Sequence, residues 1–455
     1  MAASAKIGSP RPGGNASLLG EKRLRQFLVY AKKVFALETL LERVRDRRIK
    51  PAVPTFMVAR ILFLLGLLRI RSFNALEPKL AEPWMQRALG IGTQPGARVC
   101  SVDTLSYALS RADVPSCRSL VVDVNRKAER NKIFREGWHG ALRVVALDGW
   151  EPFSSFERHC SACLTRQVRV KRDGVEVKLT QYYHAFVVAM LIDERLDVVL
   201  DMEPIRSADV RTEAGESKVK GHEGELTAAK RLVPRLRSTY GHWIDALLGD
   251  ALYANGPFWT VAKQSGFGTI TVLKKETDEP LKEALSLWRG TGPDKVVEDK
   301  AKGERIELWD CPEIETLETY DGKIRVVRGL VHKQSDDEET CSTWCVALTG
   351  CVTRLGARQV IAVARGRWHI ENTAFHQFTH LWRFAHVFRH GPEAIPALLW
   401  IFILAFNLLQ FFLYRQLCSY GRDCGKDVTR TISRLIDEML DDLARLDAIV
   451  LWDSS

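Results

Sequence analysis

Between residues 142 and 275 the chain alternates short β-rich runs with helical patterns, and this order constrains the fold more than any other feature. The runs are rich in branched side chains, whereas the segments between them repeat apolar residues at the helical period. The patterns predict strands at 142–149, 178–192, 196–205, 243–250 and 267–275, and helices at 225–241 and 258–268. Three strands followed by helix, strand, helix and strand indicate an α/β domain, a mixed sheet with helices on its faces.

The segments on either side of this region follow other patterns. Helices are predicted at 21–48, near 53–71 and from Ser101, which can cap its helix. After residue 275 we predict an all-β insertion, and helix resumes at 356–391, 394–414 and 429–446. The predicted domains are a flexible tail (1–15), a basic helical domain (16–135), an α/β domain in two parts (136–275 and 354–415), a β-rich insertion (276–353) and a C-terminal amphipathic helix (416–455).

Positive charge is concentrated in the first third of the chain. Residues 1–135 contain 25 Lys and Arg against 10 Asp and Glu, although the whole chain has a net charge of only +10. A basic N-terminal region of this kind is suited to binding a polyanion. DNA is the first candidate, because Lys and Arg that neutralise phosphates release counterions. An ordinary solvated basic surface is the alternative. The candidate DNA contacts in the first helix are Lys22, Arg23, Arg25, Lys32 and Lys33.

Two helices near the C-terminus are notable for their apolar residues. Residues 394–414 are apolar enough to suggest a membrane span. Pro396, Asn407 and Gln410 interrupt this stretch, so we predict a buried core helix and no membrane contact. The last helix is expected to dock on the body of the protein or on a second copy. Its apolar face contains Ile432, Leu435, Ile436, Met439, Leu440 and Leu443.

Cysteine usage and the first residues of the chain bear on its cellular compartment. Ten cysteines in 455 residues are too few for a disulfide scaffold, which favours a reducing compartment. The first residues have no pattern of a secretory signal peptide. We therefore expect a cytoplasmic protein.

Three carboxylates stand where chemistry is expected. Asp148 and Asp250 each end a predicted strand, and strand ends are where α/β sheets place their sites. Glu371 lies in a polar patch of a predicted helix, one turn after Arg367. Each alone is more often a turn, a helix cap or a surface ion pair. Together they can hold two Mg²⁺ ions, which prefer oxygen ligands and can promote phosphodiester displacement.

The segments around these carboxylates carry a family resemblance. They read HCSACLTR, YYHAFVVAML, GELTAAKRLVPRL, GDALYANGPF and RWHIENTAFHQF. Over roughly residues 140–415 the chain resembles the DDE transposases of bacterial insertion sequences, in the group with an all-β insertion before the catalytic Glu. The resemblance implies an RNase H-like fold with one Asp on its first strand, one just after its fourth and a Glu on a later helix. Asp148, Asp250 and Glu371 match these positions.

What the resemblance implies about function is specific. It implies cleavage of DNA at transposon ends and transfer of the resulting 3′-hydroxyl into target DNA. The cofactor would be Mg²⁺, with Mn²⁺ as the alternative, held by the three carboxylates, while Arg367 contacts a phosphate near the scissile bond. The partners would be double-stranded DNA, as terminal repeats and as target, and a second copy in a homodimer on DNA. The protein would then be associated with the nucleoid.

The chain departs from the family's helix signature, Tyr-x2-Arg-x3-Glu-x6-Lys. Ala364 stands at the Tyr position and Phe378 at the Lys position, so Arg383 or Arg389 is a candidate replacement for the lysine. Some relatives carry the form Trp-x-Ile-Glu-Asn instead. The residues that match this form are Trp368, Ile370, Glu371 and Asn372.

Several other residues suggest binding, each with a structural alternative. Lys274 and Lys275 are candidates for phosphate contact or a solvated strand end. Trp288 is a candidate for stacking on a flipped base or for the core. His pairs four apart occur at His376 and His380 and at His386 and His390, and we expect them to contact DNA or the fold rather than a metal.

A His-Cys-x2-Cys segment follows the first strand. His159, Cys160 and Cys163 hold half of a zinc site at most, because no second pair of ligands follows in the same segment. A tertiary contact with Cys100, Cys117 or His184 would be needed to complete it. We expect a loop without metal that leads to the second strand.

Two functions besides transposition stay open at this point. The chain could be a DNA-binding protein that keeps the fold without catalysis. It could also be an RNase H-like nuclease that cleaves without joining.

Overall fold

The computed structural model of the chain contains one sheet that joins most of its strands. The structure describes residues 23–91, 98–134, 142–172, 175–192, 196–207, 221–274, 278–300, 302–314, 317–334, 339–368, 370–417 and 428–444. The predicted tail, Lys22, Lys275 and the predicted boundaries at 135 and 275 lie outside these residues. The domain boundaries therefore stay predictions.

Ten strands form the sheet. They are β1 (Val144–Ser155), β2 (Leu164–Arg172), β3 (Val175–Ile192), β4 (Asp197–Pro204), β5 (Ala246–Gly249), β6 (Gly268–Leu273), β7 (Lys295–Asp299), β8 (Glu304–Ile314), β9 (Ile324–Gln334) and β10 (Glu339–Thr349). Their order is β2-β3-β1-β5-β6-β10-β9-β8-β7, and β4 pairs with the second half of β3. Neighbours β1, β5 and β6 are parallel and the other pairs antiparallel. The prediction of a mixed sheet with helices is confirmed.

Thirteen α-helices are present among the described residues. They are α1 (Arg23–Phe35), α2 (Leu37–Glu42), α3 (Thr55–Leu67), α4 (Phe73–Leu76), α5 (Pro83–Ala88), α6 (Val102–Ser110), α7 (Val114–Arg130), α8 (Glu225–Tyr240), α9 (Gly256–Gln264), α10 (Glu279–Leu287), α11 (Ala357–Gly366), α12 (Ala394–Gln416) and α13 (Val428–Ala444). Ser101 caps α6 by accepting a hydrogen bond from the Thr104 amide, as predicted. Pro234 lies within α8.

Three local features differ from the predictions, each for a physical reason. The helix predicted at 21–48 divides into α1 and α2 because Ala36 adopts a left-handed conformation with φ of 55°. The patterns predict no strand between residues 149 and 178, although β2 forms there because β3 is long enough to pair with it, while the predicted loop at 159–163 is present. The insertion is not all-β, since α10 precedes β7, and β10 joins its strands to β6 in the same sheet.

The helix predicted at 356–391 is shorter and changes type. It continues from α11 as two π-helical turns, Ile370–Phe375 and Gln377–Leu381. The helix ends there because Arg383 has a φ of 57° and the Phe384 amide donates back to the Phe378 carbonyl. π-Helical turns are rare in proteins, and those that do occur often lie at functional sites.

Helix α12 is the core element on which the N-terminal helices pack. Phe27 of α1 packs edge-on against Phe412, with ring centroids 5.5 Å apart. Asn407, the polar interruption, bridges α7 and β4, since its Nδ2 donates to Asn125 Oδ1 (3.1 Å) and to the Val199 carbonyl (2.8 Å). An apolar window of α12 could cross a membrane by length and composition, but 94% of it is buried inside the protein. The prediction of a buried core helix is confirmed.

Helix α13 docks on the same body. Its residues Ile432, Leu435, Ile436 and Met439 are buried, whereas Leu440 is partly exposed. Arg23 Nε of α1 lies 3.2 Å from Glu438 Oε2. Of the two predicted partners of this helix, the body is the one observed in the single chain.

A buried aspartate connects the N-terminal helices to the sheet. Asp201 of β4 is fully buried and accepts hydrogen bonds from Arg118 of α7 and Arg235 of α8, both bidentate. We expect Asp201→Ala to lower the free energy of unfolding by about 2–3 kcal/mol, because two arginines lose their carboxylate. This is below the usual cost of breaking a buried pair, since both arginines are partly solvated. Urea unfolding measures the change.

The matched control is Asp123→Ala. Asp123 forms an exposed ion pair with Arg43, and such pairs contribute less than about 1 kcal/mol. Equal changes in the two variants would contradict a structural role for the Asp201 network.

Candidate active site

Asp148 and Asp250 lie side by side at one edge of the sheet. The parallel pair β1 and β5 aligns Ala146 with Leu248, and each aspartate stands two residues beyond that aligned pair. Adjacent strands are about 4.8 Å apart, and residues at equal offsets on parallel strands point to the same face. The strand-end pattern therefore places two carboxylates together because the two strands are neighbours in the sheet.

Glu371 reaches the same place from the helical side. It lies in the first π-helical turn after α11, and Arg367 Nη1 donates to Glu371 Oε1 at 2.5 Å. The same nitrogen is 3.4 Å from Asp148 Oδ2. Arg367 is buried, with 6% of its surface exposed, so one guanidinium holds two of the three predicted carboxylates in contact.

The protonation of Asp148 and Glu371 follows from their burial and from the charges around them. Burial raises the pKa of Asp148 to about 7, helped by the charges of Glu371 and Glu225 and opposed by Arg367. Burial is the largest single influence on Glu371 and acts to raise its pKa. The hydrogen bond and charge of Arg367, with the hydrogen bond to Asp148 and the charge of Lys274, together outweigh burial and lower the pKa of this carboxyl. Near neutral pH, without a bound cation, Asp148 is partly protonated beside an ionised Glu371, and a hydrogen bond joins the two.

A fourth carboxylate, Glu225, lies in the site and was not predicted. It is in the first turn of α8, where its Oε1 accepts a hydrogen bond of 2.6 Å from Tyr253 and its carboxylate accepts one from the Gly149 amide. Burial, with the charge of Asp250, raises the pKa of Glu225. A Cβ at Gly149 would stand 2.3 Å from Glu225 Oε2, so glycine after Asp148 permits this approach.

Sequence reasoning missed Glu225 because a glutamate in the first turn of a helix has an ordinary structural role. It complements the helix dipole. The signal that could have found it is the Asp148-Gly149 pair together with GELTAAK, a segment that contributes to the family resemblance.

The lysine missing from the helix signature has a counterpart on the sheet. Ala364 and Phe378 are both fully buried, so neither position can present a polar group. Lys274, one residue beyond β6, has its Nζ 3.9 Å from Asp250 Oδ2, and its charge contributes to the lowered pKa of Glu371. Its side chain is largely exposed and can reach a ligand.

An open cleft of about 490 Å³ adjoins the carboxylates. Its lining includes Lys274, Arg328, Trp344, Arg367 and Trp368. Trp368 is 52% exposed and stands edge-on to Trp344, with ring centroids 6.5 Å apart.

The tryptophan predicted to stack on a flipped base, Trp288, does not line this cleft. Trp288 follows α10 and is buried, with 9% of its surface exposed. Its stacking on a base stays a prediction, and its position in the core agrees with the structural alternative.

The candidate DNA contacts of α1 differ in their surroundings. Arg23 pairs with Glu438, and Lys32 Nζ is 3.3 Å from Glu38 Oε2. Arg25 and Lys33 are exposed on the same helix. The predicted DNA contact of this helix is not tested by the structure.

Comparison with known proteins gives one match. A search of curated proteins found no significant relative. Residues 215–408 match the family described as "Transposase DDE domain". The match contains Asp250, Arg367 and Glu371, and also Glu225, whereas Asp148 precedes it on the neighbouring strand. This part of the chain is therefore similar to the DDE domain of transposases, which supports a transposase of the insertion-sequence type.

Proposed function

We propose that this protein is a transposase that cleaves DNA at the ends of its element and joins the freed 3′-hydroxyl to target DNA at a site formed by Asp148, Asp250 and Glu371. The observation that carries the proposal is the contact of Arg367 with both Asp148 and Glu371, next to the neighbouring strand end that carries Asp250. We also propose that strands β4-β3-β1-β5-β6 and the helices on them form an RNase H-like unit, with three antiparallel strands followed by two parallel ones.

The donor set fits divalent cations. The four carboxylates are near enough to influence one another, since the charges of Glu371 and Glu225 act on Asp148 and the charge of Asp250 acts on Glu225. Among the described residues, the cations that contact these carboxylates are Arg367 and Lys274. The pKa of Asp148 is raised first by burial and then by the charges of Glu371 and Glu225, so a bound cation would favour the ionised form of this carboxyl. Carboxylate oxygens are the ligands of Mg²⁺ and Mn²⁺, and Asp148, Asp250 and Glu371 would hold them. When bound, two such ions activate an attacking oxygen and stabilise the leaving one.

The remaining groups of the site would position DNA. Arg367 is buried behind two carboxylates, so it orients them and offers its other guanidinium nitrogens to a phosphate at the mouth of the cleft. Lys274 would contact a phosphate beside Asp250. Trp368 presents an exposed ring at the same cleft, where an unpaired base could stack.

The rest of the chain would hold the element's ends. Arg25 and Lys33 on the exposed face of α1 would contact phosphates of a terminal repeat. Chemistry at two DNA ends implies a homodimer on DNA. DNA as substrate also implies a cytoplasmic protein at the nucleoid.

A strand-transfer assay tests the proposal. The DNA substrate carries candidate terminal repeats taken from the DNA that flanks the gene, and the reaction contains Mg²⁺ or Mn²⁺ with a supercoiled target plasmid. We expect joined product that depends on the cation. Cleavage without joining would support a nuclease, and a mobility shift without cleavage would support a DNA-binding protein.

Glu225 is expected to position the metal ligands. Glu225→Ala removes the acceptor for the Gly149 amide and the Tyr253 hydroxyl, next to Asp148 and Asp250. Loss of such outer partners costs about 10–100-fold in metal affinity or activity. We expect a higher Mg²⁺ concentration for half-maximal cleavage, with a smaller change in the rate at saturation.

Two variants control this test. Glu225→Gln keeps one acceptor oxygen, which can accept from the Gly149 amide while the Tyr253 hydroxyl turns to accept from the new NH2 group, and it is expected to recover part of the loss. Glu279→Ala removes the exposed first-turn glutamate of α10 and should leave the titration unchanged. If Glu225→Ala required no more Mg²⁺ than the native protein, the positioning role would be wrong.

A further inference from the structure

Four metal-ligating side chains meet beside Phe153 of β1, further along the strand than Asp148. They are Cys160 and Cys163 in the segment between β1 and β2, His184 of β3, and His390 in the segment before α12. Cys163 and His184 are buried and the other two are half-buried. All four ligand atoms lie within 4.8 Å of one another. His184 and His390 therefore supply the second pair of ligand side chains that the sequence around Cys160 and Cys163 does not contain.

The distances match a tetrahedron around zinc. Bonds of about 2.3 Å to sulfur and about 2.0 Å to nitrogen give tetrahedral edges of about 3.8 Å between two sulfurs and about 3.5 Å between sulfur and nitrogen. The Cys160 and Cys163 Sγ atoms are 3.8 Å apart. His184 Nε2 lies 3.3 Å from Cys160 Sγ and 3.4 Å from Cys163 Sγ, and His390 Nε2 lies 3.2 Å from Cys163 Sγ.

A disulfide between the two cysteines accounts for less of this cluster. A disulfide would need its two sulfurs about 2.05 Å apart. It would also leave unexplained why His184 Nε2 and His390 Nε2 both contact the cysteine sulfurs. His159, the first residue of the His-Cys-x2-Cys segment, is not part of this cluster and stacks on Tyr182 with ring centroids 4.8 Å apart. Phe153 packs against both ligand rings, at 5.6 Å from His184 and 5.4 Å from His390, and so restricts their orientation.

We propose that Cys160, Cys163, His184 and His390 form a structural zinc site. The four ligands complete the tetrahedral coordination and leave no open position, which is typical of structural rather than catalytic zinc. The site would join the strand neighbouring β1 to the segment that follows the Glu371 helix. His184 is aligned with Phe153 of β1, the strand of Asp148, and His390 follows the helical segment that carries Glu371.

Metal content of the full-length protein tests the proposal directly. The protein is expressed in medium supplemented with zinc, purified without chelators, and analysed by mass spectrometry of its metals. We expect about one zinc per chain. Removal of zinc by a chelator should lower the thermal unfolding midpoint, and zinc but not Mg²⁺ should restore it. Less than about 0.1 zinc per chain, both as purified and after incubation with zinc and desalting, overturns the proposal.

Variants identify the ligands. Cys163→Ser and His390→Ala should each lower the zinc retained after desalting by at least about tenfold. His159→Ala and Cys341→Ser are the controls, since His159 is outside the cluster and Cys341 is an exposed cysteine on β10. Retention of zinc by His390→Ala, or its loss from His159→Ala, contradicts the proposed ligand set.

A spectroscopic test uses the native sequence and so does not depend on the folding of the variants. Co²⁺ added to the zinc-depleted protein should give the thiolate charge-transfer and tetrahedral ligand-field bands of a two-sulfur site, and zinc should abolish them. Absence of these bands, with a Cys160–Cys163 disulfide found by peptide mass spectrometry, overturns the proposal in favour of a redox pair. This test is independent of DNA cleavage, so its failure would leave the proposed transposition reaction untouched.

Discussion

Asp250→Asn is expected to lower the rate of DNA cleavage and joining by at least about 10³-fold. The substitution replaces a charged oxygen ligand with a neutral amide of the same shape. The metal ions at such a site stabilise the transition state by several kcal/mol, and each 1.4 kcal/mol is a factor of ten. The Leu252 amide, which donates to Asp250 Oδ1 at 2.8 Å, can still donate to the amide oxygen. The fold and DNA binding should therefore survive, as measured by circular dichroism and mobility shift.

The control for this substitution is Asp321→Asn. Asp321 is fully exposed, and its carboxylate lies 3.9 Å from Lys263 Nζ, a weak contact in water. Its variant should cleave and join at the native rate. Native rates from Asp250→Asn in the same assay would refute the catalytic assignment of this edge of the sheet.

Arg367→Ala is expected to lower activity about 10²–10³-fold and to shift its pH dependence. The loss resembles the removal of one preorganised donor from an active site. The pH effect has a definite sign. The charge of Arg367 lowers the pKa of Asp148, which burial has raised to about 7, and also lowers the pKa of Glu371. Without this charge both carboxyls hold their protons to higher pH, so metal binding and cleavage should rise only at more alkaline pH.

Cleavage rates from pH 6 to pH 9 at fixed Mg²⁺ measure this shift. Arg367→Lys keeps a positive charge and should return part of the midpoint shift, although its single ammonium lacks the planar, multi-nitrogen geometry of a guanidinium. Arg358→Ala is the control, because Arg358 is an exposed arginine of α11 that pairs with Asp299. A midpoint that stays constant or moves to lower pH in Arg367→Ala would show that this guanidinium does not govern the carboxylates.

The sheet and the two aspartates were predictable because their signals are local. Each strand reads as a short branched run, and Asp148 and Asp250 end runs that parallel pairing then aligns. The i, i+4 spacing of Arg367 and Glu371 likewise predicted their contact. These features depend on neighbours along the chain and on one general rule of sheet architecture.

Other parts of the site depend on contacts that spacing does not encode. His390 joins Cys163 across 227 residues, and nothing in the sequence around either residue indicates the other. Glu225 looks like a helix-dipole residue until the turn at Gly149 is seen to admit it. The left-handed Ala36, which divides the first helix, was also hidden, because alanine has the highest helix propensity.

The continuous pairing of β10 with β6 bears on how DNA must fit. Leu273 is aligned with Cys345, so Lys274 and Trp344 stand one step further along the same pair of strands. The hydrogen-bonded pairing of these two strands, rather than a flexible linker, sets the spacing between Lys274, which lies next to Asp250, and Trp344 in the wall of the cleft. A duplex arriving at this edge meets a fixed template, and the bending or unpairing needed for its phosphate to reach the carboxylates falls on the nucleic acid.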